Sequence, residues 1–389
     1  MSSSGDAGST FAKITQGIGA DVAAVHAGAV DKDARFPAEA FAALRKEKLL
    51  SAYVPKELGG LGCTMKDLHV MCYTLGLHCA NTAMVFAMHQ IQVACLVRHG
   101  LKSPLLTKYV TEKVVGEQHL IASATTEAGI GGDVRSSSCA VELSGDTFNL
   151  KKNAPVISYA DSADSLLVTA RRAPESPASD QVISLVEKGD YTLERTSNWD
   201  TLGFRGTCSN GYMLTASGPA GKILPQPYAE ISAQTMLPVA HLVWPSLWLG
   251  LATSAVNQAR AFIRSEARKR PGAVPPASMR LAETMAVLQG MKANVEAAVA
   301  DYESRLNDPE ALSAIAFALR MNNLKVEVSE QVVDVVGRAM RICGIQGYKH
   351  DSKFTLGRHL RDAWGAQLMV NNDRILGHNA QLLLVHKDE

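Results

Sequence analysis

The spacing of apolar positions along this chain changes character twice. From the start to about residue 118 it is helical. Phe36-Pro37-Ala38-Glu39-Ala40-Phe41-Ala42-Ala43-Leu44 carries apolar residues at steps of three and four, with a proline near its first turn. Gly59-Gly60-Leu61-Gly62 breaks the chain, and a second helix is predicted from Met65 through Leu77. Near His119 the pattern gives way to short apolar runs. Leu120 to Thr125, Leu166 to Ala170 and Val182 to Val186 are predicted strands, the last two separated by the turn-rich Pro174-Glu175-Ser176-Pro177. This β-rich zone fades at Pro225-Gln226-Pro227. From about 238 the helical period returns, and Leu324, Val328, Val332, Val335, Ala339 and Ile342 form one buried stripe. The order predicts an α+β protein with a helical domain over 1–118, a β domain over 119–226 and a helical domain over 227–389.

Composition changes that picture little. The 389 residues are 47% hydrophobic with a formal net charge of +1, which suits a large core and argues against nucleic acid or an anionic membrane surface as partner. No unbroken run of about 18 apolar residues is present, so no membrane span is expected. The opening Met-Ser-Ser-Ser-Gly-Asp does not read as a secretory signal. Seven scattered cysteines without a CxxC pair fit neither a zinc site nor a disulfide framework, and point to a reducing cytoplasm.

The candidate chemistry lies in loops. Thr126-Glu127-Ala128-Gly129-Ile130-Gly131-Gly132-Asp133 follows a predicted strand, where glycines let backbone N–H groups approach a ligand. It does not open a helix, so it is not a dinucleotide fingerprint; a tight turn between strands is the plainer reading. Four further segments accompany it: Val54 to Gly62, Val156-Ile157-Ser158 with Ala163-Asp164, Leu202 to Thr207, and Gly344-Ile345-Gln346-Gly347-Tyr348 leading to Arg361-Asp362. Together, in this order and spacing, the five resemble the acyl-CoA dehydrogenase family over most of the chain.

That resemblance implies an N-terminal helical domain, a central β-barrel-like domain and a C-terminal four-helix bundle around FAD, in a homotetramer. Thr126 and Ser158 would then hydrogen-bond the isoalloxazine ring, where donors stabilise charge as the ring accepts a hydride. Thr125, Gly131, Gly132, Ile157, Gln346 and Gly347 are the accompanying cofactor candidates. Departures from the family pattern are equally informative. Val156 stands where a tryptophan usually packs on the flavin, and Gly132 replaces a serine. The usual Arg-x-x-Phe-Gly after Phe262 is absent, leaving Arg268, Lys269 or Arg270 as a phosphate contact.

Many relatives carry a proton-abstracting Glu seven residues past the matching Asp-Ala pair, and here that position is Val370. Others place it on an earlier helix, where this chain has Ala240. Three residues are candidate substitutes. Asp373 would share a face with position 370 on a continuous helix; His241 and His89 each offer an imidazole suited to proton transfer near neutrality. Three functions follow as expectations: dehydrogenation of an acyl-CoA or other acyl thioester with a relocated base, a flavin-dependent monooxygenase that needs no such base, or an inactive paralogue that binds acyl-CoA, FAD or a partner.

Overall fold

A computed structural model describes residues 4–130, 133–269 and 271–386. Helices fill the chain up to Gly116, among them Ala38–Lys46, Met65–His78 and Ala80–His99. The second of these starts where sequence chemistry places it: the Thr64 hydroxyl accepts from the Asp67 N–H, and the Asp67 carboxylate accepts from the Thr64 N–H.

Seven strands follow among the described residues: β1 (Ile121–Ala124), β2 (Glu142–Ser144), β3 (Thr147–Ala154), β4 (Ser165–Arg171), β5 (Gln181–Glu187), β6 (Tyr191–Ser197) and β7 (Gly211–Pro219). They form two sheets, β1-β4-β5 and β2-β3-β7-β6. This refines the barrel-like expectation, since the strands divide between two separate sheets. The three predicted strands are β1, β4 and β5, all in one sheet. The other sheet alternates exposed and buried positions along β3 and carries charged residues, so apolar runs do not reveal it. Lys152 of β3 bridges the sheets: its buried Nζ donates to the Thr169 carbonyl on β4 at 2.6 Å and lies 3.8 Å from the Glu127 carboxylate.

The C-terminal half contains long helices, Leu237–Lys269, Ser278–Arg305 and Ile315–Cys343, completed by Gly357–Leu368 and Asn372–Leu383. The predicted stripe from Leu324 to Ile342 is buried throughout. Among the described residues two segments, Ala80–His99 and Tyr228–Lys269, are long and apolar enough to cross a membrane, although no unbroken apolar run announces them; both are packed within the protein interior as core helices. Met65–His78 crosses Leu237–Lys269 at backbone distance. A Cβ on Gly250 would fall 2.2 Å from the Tyr73 carbonyl oxygen, and one on Gly76 would fall 2.4 Å from that of Leu247.

The three parts meet at the segment from Leu202 to Thr207. A Cβ on Gly203 would lie 2.1 Å from the Arg361 carbonyl oxygen, and the Phe204 N–H donates to the buried Asp362 carboxylate at 2.7 Å. Arg361 pairs with Asp31, and the Gly206 N–H donates to Asn81 at 2.9 Å. This knot fixes the strand ends of the β domain against both helical domains.

Candidate flavin site

Thr125 and Thr126 follow directly on β1, and Val156 and Ser158 lie on the segment after β3; all four are half-buried. The Thr126 hydroxyl donates to the Val156 carbonyl at 2.8 Å, tying the two loops together. Ile157 is buried, and its N–H donates to the Asn210 carbonyl at 2.9 Å. The Ser209 hydroxyl donates to Ser158 at 2.8 Å, and Thr207 lies 2.8 Å beyond Ser209. Donation from Ser209 to Ser158 leaves the Ser158 hydroxyl hydrogen free to donate outward, while the Thr207 hydroxyl donates to the Phe204 carbonyl at 2.8 Å. A half-buried ledge with one aimed donor suits the polar edge of a flavin ring. When bound there, the flavin supplies two-electron redox chemistry.

The C-terminal helices touch the neighbouring loops at two points. Arg135, just past the glycine-rich loop, contacts His378 Nδ1 at 3.1 Å. A Cβ on Gly365 would strike the Phe204 ring at 2.6 Å. Gly131 and Gly132 lie outside the described residues. Arg268 lies on Leu237–Lys269, and Gln346 and Gly347 on the short helix Ile345–Tyr348. Arg268 is exposed in the last turn of its helix, Gln346 accepts from Ser352 at 3.0 Å, and buried Gly347 accepts from the Leu356 N–H at 2.8 Å.

The candidate bases fare differently. Asp373 is not on a helix continuous with position 370, because the helix ends at Leu368 and a new one begins at Asn372. The Asn371 side chain accepts from the Asp373 N–H at 2.8 Å, and the Asp373 side chain is exposed in the first turn. The shared face expected from the sequence is therefore lost. His89 is fully buried; its Nε2–H donates to the Leu50 carbonyl at 2.8 Å and its Nδ1 accepts from the Ile121 N–H at 3.0 Å. Neither nitrogen remains for a substrate, and burial pushes the ring down to about 4.

His241 is buried with an Nδ1 that has no hydrogen-bond partner among the described residues. Burial, reinforced by the nearby Lys325 charge, pushes it down to about 3. It belongs to a nitrogen-rich patch. The His241 and Trp244 rings are 6.2 Å apart, those of Trp244 and Trp248 6.5 Å apart, and Lys325 Nζ stands 5.9 Å from the Trp248 ring.

Sequence reasoning missed Lys325, Ser209 and Asn372. Lys325 carried a usable signal, since it lies three residues before Val328 on the apolar face of its helix, where a charge needs a partner.

Residues 9–109 match the acyl-CoA dehydrogenase N-terminal domain and residues 232–370 the acyl-CoA dehydrogenase C-terminal domain. The chain is 24% identical over 360 residues to the probable acyl-CoA dehydrogenase FadE25 of Mycobacterium tuberculosis, covering 90% of this chain and 88% of the relative. It is 25% identical over 350 residues to the amino sugar nitrososynthase DnmZ of Streptomyces peucetius, covering 85% and 82%. Among solved structures, the FMN-bound dibenzothiophene monooxygenase TdsC from Paenibacillus sp. A11-2 superposes with a TM-score of 0.83 at 18% identity, covering 98% of both chains. The helical, β and helical order, the clasped loops and these matches agree: the chain belongs to the acyl-CoA dehydrogenase family of flavin oxidoreductases.

Proposed function

We propose that this enzyme is a flavin-dependent monooxygenase acting on a small molecule, with FAD as its flavin. The observation that carries the reading is the pair of positions at which a carboxylate would remove the substrate α-proton. They hold Val370 and Ala240, and the Asp373 side chain is exposed in the first turn of the last helix. Without a positioned base, α-proton abstraction would slow by roughly 10²–10⁴-fold. Oxygen insertion would need none: with Thr126 and Ser158 holding a flavin that would supply two electrons, one oxygen atom of O2 would enter the substrate and the other, with two protons, would leave as water. Val156, smaller than the family tryptophan, leaves more room over the ring. Thr126 and Ser158 would hold the ring edge, with Thr125 and Ile157 beside them and Arg268, Gln346 and Gly347 toward the remainder of the cofactor. The dibenzothiophene monooxygenase TdsC, on this fold, and the amino sugar nitrososynthase DnmZ, similar in sequence, are compatible precedents. Seven free cysteines suit a reducing cytoplasm.

The unpartnered Nδ1 of His241 favours one second reading: dehydrogenation of an acyl thioester with His241 as proton acceptor. A ring held near 3 is a weak base at neutral pH, which places this reading second. The test supplies FAD-loaded protein with reduced flavin from a separate reductase and follows oxygen uptake with panels of aromatic, amine and sulfide compounds. Uptake coupled to an oxygenated product labelled from 18O2 supports the proposal; no coupled product from any panel overturns it.

A further inference from the structure

Val370 is a β-branched residue in the left-handed region, at φ 49°, where such side chains rarely rest without something holding them. Its side chain is half-exposed, so apolar burial does not hold it there. Its carbonyl points inward, and the fully buried Lys325 Nζ donates to it at 2.6 Å. The same Nζ donates to Asn372 Oδ1 at 2.7 Å, and Ser329 exchanges hydrogen bonds with Asn372 at 3.0 and 3.2 Å. One amine thus binds both sides of the break between the last two helices.

We propose that Lys325 is a positioning residue, a clamp whose hydrogen bonds to Val370 and Asn372 hold the strained 369–371 turn as the wall of the active site. Burial pushes the Lys325 amine down to about 7, so the clamp loosens as its proton leaves near neutrality. The titratable groups facing it are His241 on the tryptophan-bearing helix and Glu330 on its own helix. The proposal rests on the site reading only in calling this turn a wall of the site; the clamp itself is measurable without substrate or turnover.

The experiment is hydrogen exchange of the full-length, FAD-supplemented protein, following the amides of 369–375. Those of Met369, Asp373 and Ile375 are hydrogen-bonded and therefore report on the turn. After correction for intrinsic rates, the wild type should lose protection between pH 6 and 8.5. Lys325→Met should exchange roughly tenfold faster or more at pH 6, with no pH step. Lys325→Arg, whose charge does not titrate, should also lose the step. Adding Val370→Gly to Lys325→Met should recover protection by removing the strain. Exchange in Lys325→Met within twofold of the wild type, or a pH step that survives in Lys325→Arg, overturns the proposal. Should Lys325→Met fail to fold, the wild-type step against the arginine variant still decides.

Discussion

The Nε2–H of His89 donates to Leu50 and its Nδ1 accepts from Ile121, so this ring joins the N-terminal helices to β1. Its neutral form is built into the fold, as are those of His69, His99, His241 and His359, which burial pushes down to about 4, 4, 3 and 3. The linkage has a definite sign. A histidine depressed in the folded state leaves the unfolded chain binding more protons once pH falls below about 6.5. Stability is therefore full above that value and is lost as pH drops toward 4. Each of these rings should cost about 1–2 kcal/mol by pH 5. Urea melts at pH 7.5 and pH 5 check this, and equal midpoints would refute it. At the ledge, Ser209 aims the Ser158 hydroxyl. Ser209→Ala should weaken FAD binding by roughly fivefold, the worth of one hydrogen bond, as read by flavin fluorescence. Undiminished affinity would remove Ser209 from the site. The sequence pointed to Ser158 through its family motif. Ser209 stayed hidden because only the fold brings residues 158 and 209 into contact.

Among the elements, those read from sequence share one property. Helices with a continuous apolar face, such as Ile315–Cys343, and the buried strands β4 and β5 present their burial as a pattern. Strands β6 and β7 mix polar and charged residues into an outward face, and their pairing depends on partners distant in sequence. The break at Met369–Asn371 was equally illegible, since it depends on Lys325, about 45 residues earlier in the chain. Two substitutions test these elements. Val370→Gly should stabilise the chain by up to about 1 kcal/mol, because glycine tolerates the left-handed turn and little buried area is lost. Gly250→Ala should destabilise it by about 1–3 kcal/mol by pressing a methyl group against the Tyr73 backbone. Urea midpoints measure both, and a neutral Gly250→Ala would mean the two helices separate freely.

At the scale of the whole molecule, helices grip a β domain through the Leu202 to Thr207 segment, which leads through Ser209 to the candidate flavin ledge at Ser158. The family and the fold class were legible because glycines, hydroxyls and the Arg-Asp pair recur at fixed spacing. The role of each histidine was not, since it depends on what the ring touches. Exposed Leu368, Leu376, Leu383 and Leu384 mark the last helices as an apolar surface, in keeping with the proposed homotetramer. Light scattering should then give about four times the 41.6 kDa chain mass. The most direct test of the central claim, that this flavin site lacks an α-proton base, is an anaerobic titration of the FAD-loaded protein with a panel of acyl-CoAs, watching the visible flavin band. The band should persist with every thioester while the flavin stays bound. Stoichiometric bleaching by one acyl-CoA, lost in His241→Ala, would contradict it and establish a dehydrogenase with a histidine base.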